Sequence, residues 1–90
     1  MKPIVFSKHA LDQMQNRGAT RDEVELAIME GESSFASKGR LTFRKNFAFH
    51  AFWKGKHYEV KQVMPIVIEE KDHLIVVTVY VFYFGGGGES

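Results

Sequence analysis

Four histidines, twelve lysines and arginines and no cysteine carry what chemistry this chain of 90 residues can do. His9, Gln13 and Arg17 recur every fourth residue, so on a helix they fall along one face. His57, Glu59 and Lys61 alternate, so on a strand they share one face. Both sets join groups that can carry a proton to cations that can hold an anion, the equipment of general acid–base chemistry at a phosphate. Imidazole can give or take a proton near neutral pH, and guanidinium offers phosphate a planar fork of donors. His9, Arg17, His57 and Lys61 are therefore the candidate catalytic residues. Arg40, Arg44 and His50, across the sheet from the second set, are candidate substrate contacts, as is Phe52, on which a base can stack.

Each residue also has a structural alternative. His9 can support the helix start by donating to a backbone carbonyl, and Arg17 can satisfy C-terminal carbonyls or pair with Asp12. The His57–Glu59–Lys61 face can be solvated surface with cross-strand ion pairs. Phe47, Phe49 and Trp53 share a phase that suits packing under helices, while Phe52, on the other face, can mark a partner surface. Tyr80 and Tyr83 read as core residues on opposite faces with hydroxyls at the rim. No metal is expected, because His9, His50, His57 and His73 lack tight ligand spacing. No cofactor is expected either, because Gly85 to Gly88 follow a strand and open no helix.

The elements that must position these residues are well punctuated. Ser7 is an N-cap and Gly18 a left-handed C′ residue around a helix from Lys8 to Arg17. Thr20 and Glu23 form a capping box for a second helix, Arg21 to Glu30, which Gly31 closes. Ala10, Leu11 and Met14 make one apolar stripe, and Val24, Ala27 and Ile28 the other. Lys2 to Phe6 reads as a short edge strand, and Glu32 to Gly39 as a loop. From Arg40 the period becomes two. Lys45-Asn46 breaks the apolar phase, which predicts a hairpin turn or a bulge in one long strand. Lys54-Gly55-Lys56 is a clearer turn. In the strand from His57 to Ile68, Pro65 predicts an edge or a bulge. Leu74 to Phe84 is apolar on both faces and reads as a central strand. The expected fold class is α+β, with two N-terminal helices on one face of a three- to four-stranded antiparallel sheet and a short first strand beside it. Residues 1–84 read as one domain and residues 85–90 as a flexible tail.

A net charge of +1 argues against a strong general nucleic-acid binder. The charge is uneven, however: the second helix is acidic, and the segment from Lys38 to Lys61 is basic except for Glu59. The lack of cysteine suits a reducing cytoplasm. No signal-peptide pattern opens the chain, and its longest apolar run, Leu74 to Phe84, is short of the ~20 residues of a membrane helix. A cytoplasmic protein with no membrane partner is expected.

Ser7-Lys-His9-Ala10, then Met14, then Arg17-Gly18 and the capped helix from Thr20, with Val76 to Tyr80 as closing strand, resemble the prokaryotic domain-of-unknown-function family 4258. That family is similar in layout to the RelE/ParE and BrnT toxins, several of which are metal-independent ribonucleases that pair with antitoxins. The resemblance implies RNA or the ribosome as target and an antitoxin-like protein as partner. A non-catalytic module that binds a protein through the sheet face, or through an edge near Pro65, is the competing expectation.

Overall fold

A computed structural model of the chain describes residues 2–85. The chain runs β1 (Ile4–Phe6), α1 (Lys8–Arg17), α2 (Arg21–Glu30), β2 (Glu32–Phe35), a 3₁₀ turn (Ser37–Gly39), β3 (Leu41–Trp53), β4 (Lys56–Glu69) and β5 (Leu74–Phe84). All strands join one sheet in the order β1-β5-β4-β3-β2. The fold is α+β with two leading helices, as the sequence indicates. The sheet has five strands, and its first pairing is parallel, with Ile4 opposite Leu74 and Phe6 opposite Val76. A strand of three residues carries no pattern that announces this direction.

The caps fix the helix ends. Ser7 Oγ accepts from the Ala10 amide at 3.0 Å. Gly18 takes φ 82° and its amide donates to the Met14 carbonyl at 2.8 Å. Thr20 and Glu23 cap each other, with bonds of 3.0 and 3.1 Å. The buried faces of both helices, with Ala10, Met14, Val24 and Ile28, pack on Val63, Val67, Val76 and Val79 of β4 and β5. β-Branched side chains fill a pleated surface well, and each buried valine contributes about 1.5–3 kcal/mol relative to exposure.

The structure corrects three local expectations. Glu32 to Gly39 is no plain loop: Glu32–Phe35 pairs with Leu41 to Arg44 as an edge strand, exposed along its length. Exposure on both faces hides such a strand from any periodicity. Lys45 and Asn46 do not turn the chain but pair with Val63 and Gln62 inside one strand of 13 residues. The bulge falls at Phe49-His50, between the Ala48–Val60 and Ala51–Tyr58 pairs, and His50 takes φ 46°. The hairpin then closes through Lys54 and Gly55, both at positive φ, as a two-residue turn requires. Pro65 lies in β4, an inner strand, rather than at an edge. The β3 register is the same on both sides of it, Lys45 with Val63 and Thr42 with Ile66. The edge alternative is thereby overturned, while the bulge alternative has a counterpart one residue on. The nearby register shift is against β5, between Ile66 and Val67.

Gly85 accepts a hydrogen bond from the Glu59 amide at 2.8 Å; the remainder of the expected tail lies outside the described residues. Among those described, no helix is long and apolar enough to cross a membrane.

Gly18 tests the helix corner. A β-carbon there would stand 2.6 Å from the Tyr83 hydroxyl and 2.8 Å from the Trp53 ring, whereas at Gly39, also at positive φ, it would meet nothing within 4 Å. Urea unfolding should show Gly18→Ala destabilised by more than ~2 kcal/mol and Gly39→Ala by only ~1 kcal/mol. Equal losses would mean that backbone strain, not the packed corner, sets the cost.

Candidate functional site

The candidate residues divide between two places. The first is the corner between α1 and α2. There Lys61, 6% exposed, donates to the Gly18 carbonyl at 2.9 Å and pairs with Glu23 at 2.8 Å. The Phe49 ring lies 5.3 Å from its ammonium. Arg17 donates to the Val79 carbonyl at 2.9 Å and lies over the Tyr80 ring. The Tyr83 hydroxyl donates to the Arg17 carbonyl at 2.7 Å. The last carbonyls of a helix have no partner within it, and here two of them, at Arg17 and Gly18, receive side-chain donors from the sheet. Arg17 does not pair with Asp12, which is taken by Lys8 at 3.2 Å. The Lys61 ammonium is thus held by two oxygens inside the corner.

The second place is the hairpin beyond the bulge. His50 Nδ1 is hydrogen-bonded to Glu59 Oε1. A carboxylate only accepts, so Nδ1 carries the hydrogen and Nε2 is left to take a proton. His57 Nδ1 lies 3.7 Å from the other oxygen of Glu59, too far for a hydrogen bond, and is buried without a partner. The Phe52 ring, 71% exposed, meets His57 edge-on with centroids 5.2 Å apart. Lys54 and Lys56 flank the turn, over Trp53 and Tyr58 respectively. The two imidazoles address different oxygens of Glu59 rather than a common point. Among the described residues, no group of three His, Cys, Asp or Glu is arranged to hold a metal ion.

His50, His57 and Phe52 therefore come together, with Glu59 as the residue the sequence reading named only as a neighbour. The expected His57–Glu59–Lys61 face is split: His57 and Glu59 stay with the hairpin and Lys61 turns to the helices. His9 is exposed on α1 and, among the described residues, makes no side-chain hydrogen bond. Arg40 is exposed just before β3. Arg44 lines a shallow cavity of about 320 Å³, but it faces Glu32 at 3.9 Å there, and neighbouring Lys45 faces Glu30 at 3.4 Å. Acids match both cations, so the cavity is a poor phosphate site.

Tyr83 sits among Phe49, Trp53 and Tyr58, with ring centroids 5.1 to 5.6 Å away. Burial, and after it the Glu23 carboxylate, pushes its pKa up to about 12 from 10.0. The unfolded chain gives up this proton at lower pH. The stability that Tyr83 contributes is therefore full below pH ~10 and lost as pH rises through ~12. Tyr83→Phe should flatten that part of the stability–pH curve, measured by urea unfolding, while costing about 1 kcal/mol at neutral pH for the bond to Arg17. At the same corner, Lys61→Met leaves Glu23 and the Gly18 carbonyl without their donor. It should cost about 3–5 kcal/mol, and Lys61→Met/Glu23→Gln should cost less than the two single changes added. A purely additive pair would remove the ion pair from the account of the corner.

Comparison with curated proteins and with solved structures returned no match. A family model does match, over residues 6–81, from the end of β1 into β5. The match takes in both helices, the corner and the whole hairpin, and by it the chain belongs to the family described as Domain of unknown function (DUF4258).

Proposed function

We propose that the β3–β4 hairpin is the working part of the domain and that it engages RNA, with His50 and His57 as the proton carriers of a metal-independent cleavage. The observation that supports this reading is the placing of two imidazoles against the two oxygens of Glu59 beside an exposed aromatic ring. His50 Nε2 takes the 2′-hydroxyl proton, and the freed oxygen attacks phosphorus. Glu59 holds the ring and stabilises the imidazolium that forms. The bond from phosphorus to the 5′-oxygen breaks, and protonated His57 gives that oxygen its proton. The products are a 2′,3′-cyclic phosphate and a 5′-hydroxyl. Phe52 offers a stacking face to a base. Arg17 and Lys61, spent on the helix corner, have no part in this scheme, and His9 stands outside it. The resemblance to toxin layouts that the sequence suggests makes ribosome-bound RNA a target to test beside free RNA, and an antitoxin-like protein a partner that would mask the hairpin.

A second reading, a protein-interaction module, loses its edge-strand form because Pro65 lies inside the sheet. Its sheet-face form is supported by Tyr80, Phe82 and Phe84, which are 41, 45 and 42% exposed.

The deciding assay is cleavage of a mixed RNA by the purified protein in chelator, with end-group analysis. Cyclic phosphate ends are expected, with rates ~10²-fold or more lower in His50→Ala and His57→Ala and unchanged in His9→Ala. Absence of cleavage on free RNA and on translating ribosomes, or cleavage indifferent to both hairpin histidines, would remove the enzyme reading.

A further inference from the structure

α2 carries more apolar residues than its place in the fold uses. Val24, Ala27 and Ile28 are buried, and a helix with one covered face ordinarily turns polar residues to the other. Leu26 and Met29 break that pattern, being 37 and 60% exposed. With Asp22 and Glu25 they follow the i, i+3, i+4, i+7 spacing of a single helix face. These four side chains line a hollow of about 270 Å³. Asp22–Leu26 and Glu25–Met29 are two i, i+4 ridges, and the hollow is the groove between them. A second helix packs by laying a ridge of its own into such a groove. Small-molecule sites run from ~300 to ~1,000 Å³ and bury most of their ligand. This smaller, open groove suits instead an anchoring side chain offered by another helix.

Charge identifies the partner. α2 holds four acids, Asp22, Glu23, Glu25 and Glu30. Glu23 is matched by Lys61 at 2.8 Å, and Glu30 faces Lys45 at 3.4 Å. Asp22 and Glu25, the two at the groove, have no cationic partner among the described residues. The helix's own cation does not serve them, because the Arg21 guanidinium lies over the Phe6 ring, 4.8 Å from its centroid. The helix dipole accounts for Asp22 in the first turn, but its effect fades before Glu25. We propose that this face of α2 docks a basic amphipathic helix of another protein. An apolar side chain of that helix enters the groove beside Leu26 and Met29, and its lysines or arginines reach Asp22 and Glu25. Exposed ion pairs add little affinity, so the apolar anchor supplies the binding and the carboxylates select the partner. The unbranched Met29 side chain adapts to the anchor's shape. A twofold contact of α2 with its own copy would instead bring the unmatched carboxylates of both copies together, and RNA would meet them as repulsion. The proposal takes up the protein-interaction reading on a face other than the sheet, and it is independent of what the hairpin does with RNA.

Two synthetic helical peptides test the proposal, both with leucine at i, i+3, i+4 and i+7, one with lysine and the other with glutamate at the flanking positions. Fluorescence anisotropy of each labelled peptide reads its binding to the intact chain. The lysine peptide is expected to bind in the micromolar range, roughly tenfold or more tighter than the glutamate peptide, and to weaken as salt rises. Glu25→Lys and, separately, Met29→Lys should each weaken it roughly tenfold or more. Phe35→Ser, at a residue 88% exposed on the β2 edge, should leave it unchanged. Thermal melts check that all three variants fold, and RNA cleavage unaffected by either α2 variant keeps this proposal apart from the hairpin reading. Failure of the lysine peptide to bind, equal binding of the glutamate peptide, or binding indifferent to both α2 variants overturns the proposal. Self-association of the chain that both α2 variants abolish would give the face to a second copy and overturn it as well.

Discussion

The ion pair and hydrogen bond of Lys61 hold the two halves of this fold in register. Its ammonium ties the C-terminal carbonyl of α1, the capping carboxylate of α2 and the inner face of β4 into one knot. Burying a charge costs several kcal/mol unless it is closely paired. Here the partners are prepared in advance. Gly18 places a carbonyl that α1 cannot use, and the capping box orients Glu23 before the sheet arrives. Two further donors fasten the same corner, the Tyr83 hydroxyl on the Arg17 carbonyl and the Arg17 guanidinium on β5. Helix ends, normally the weakest points of a helix, are thereby made the points where sheet and helices join.

This arrangement decides which cations are free for chemistry. Guanidinium and ammonium groups good for phosphate are equally good for orphan carbonyls, and the corner consumes Arg17 and Lys61. The hairpin beyond the bulge is the opposite case. Its ladder is self-contained, and the bulge at His50 re-aims the strand and brings His50 to Glu59. His50, Phe52 and the turn lysines are exposed, so they can change partners at little cost to folding. The fold in this way separates a rigid corner from a chemically equipped arm.

The same economy runs through the sheet. Its inner face is matched by two helices, its outer face is apolar around Tyr80 and Phe82 with Arg44 and Glu32 toward β2, and its edge at β2 is short.

Local signals in the sequence determined both helices with their caps, the apolar stripes, the turn at Lys54-Gly55 and the phase that leaves Phe52 outside. Each depends on a few neighbouring residues: a hydroxyl three positions from an amide, a glycine where φ is positive, a period of two or 3.6. The family resemblance was legible for the same reason, since its motif is mostly helix caps. The tertiary structure alone decided the rest. β2 carries no buried side, so no pattern marked it. β1 is too short to declare its direction. Pro65 enters an inner strand, with the register shift against β5 falling between Ile66 and Val67. His57, Glu59 and Lys61 looked alike by alternation, and the ribbon parts them: the corner offers Lys61 an acid and a carbonyl, and the bulge offers Glu59 two imidazoles. Alternation fixes which side of a flat strand a residue takes, but not where a bulged ribbon carries it, nor which distant oxygen waits there.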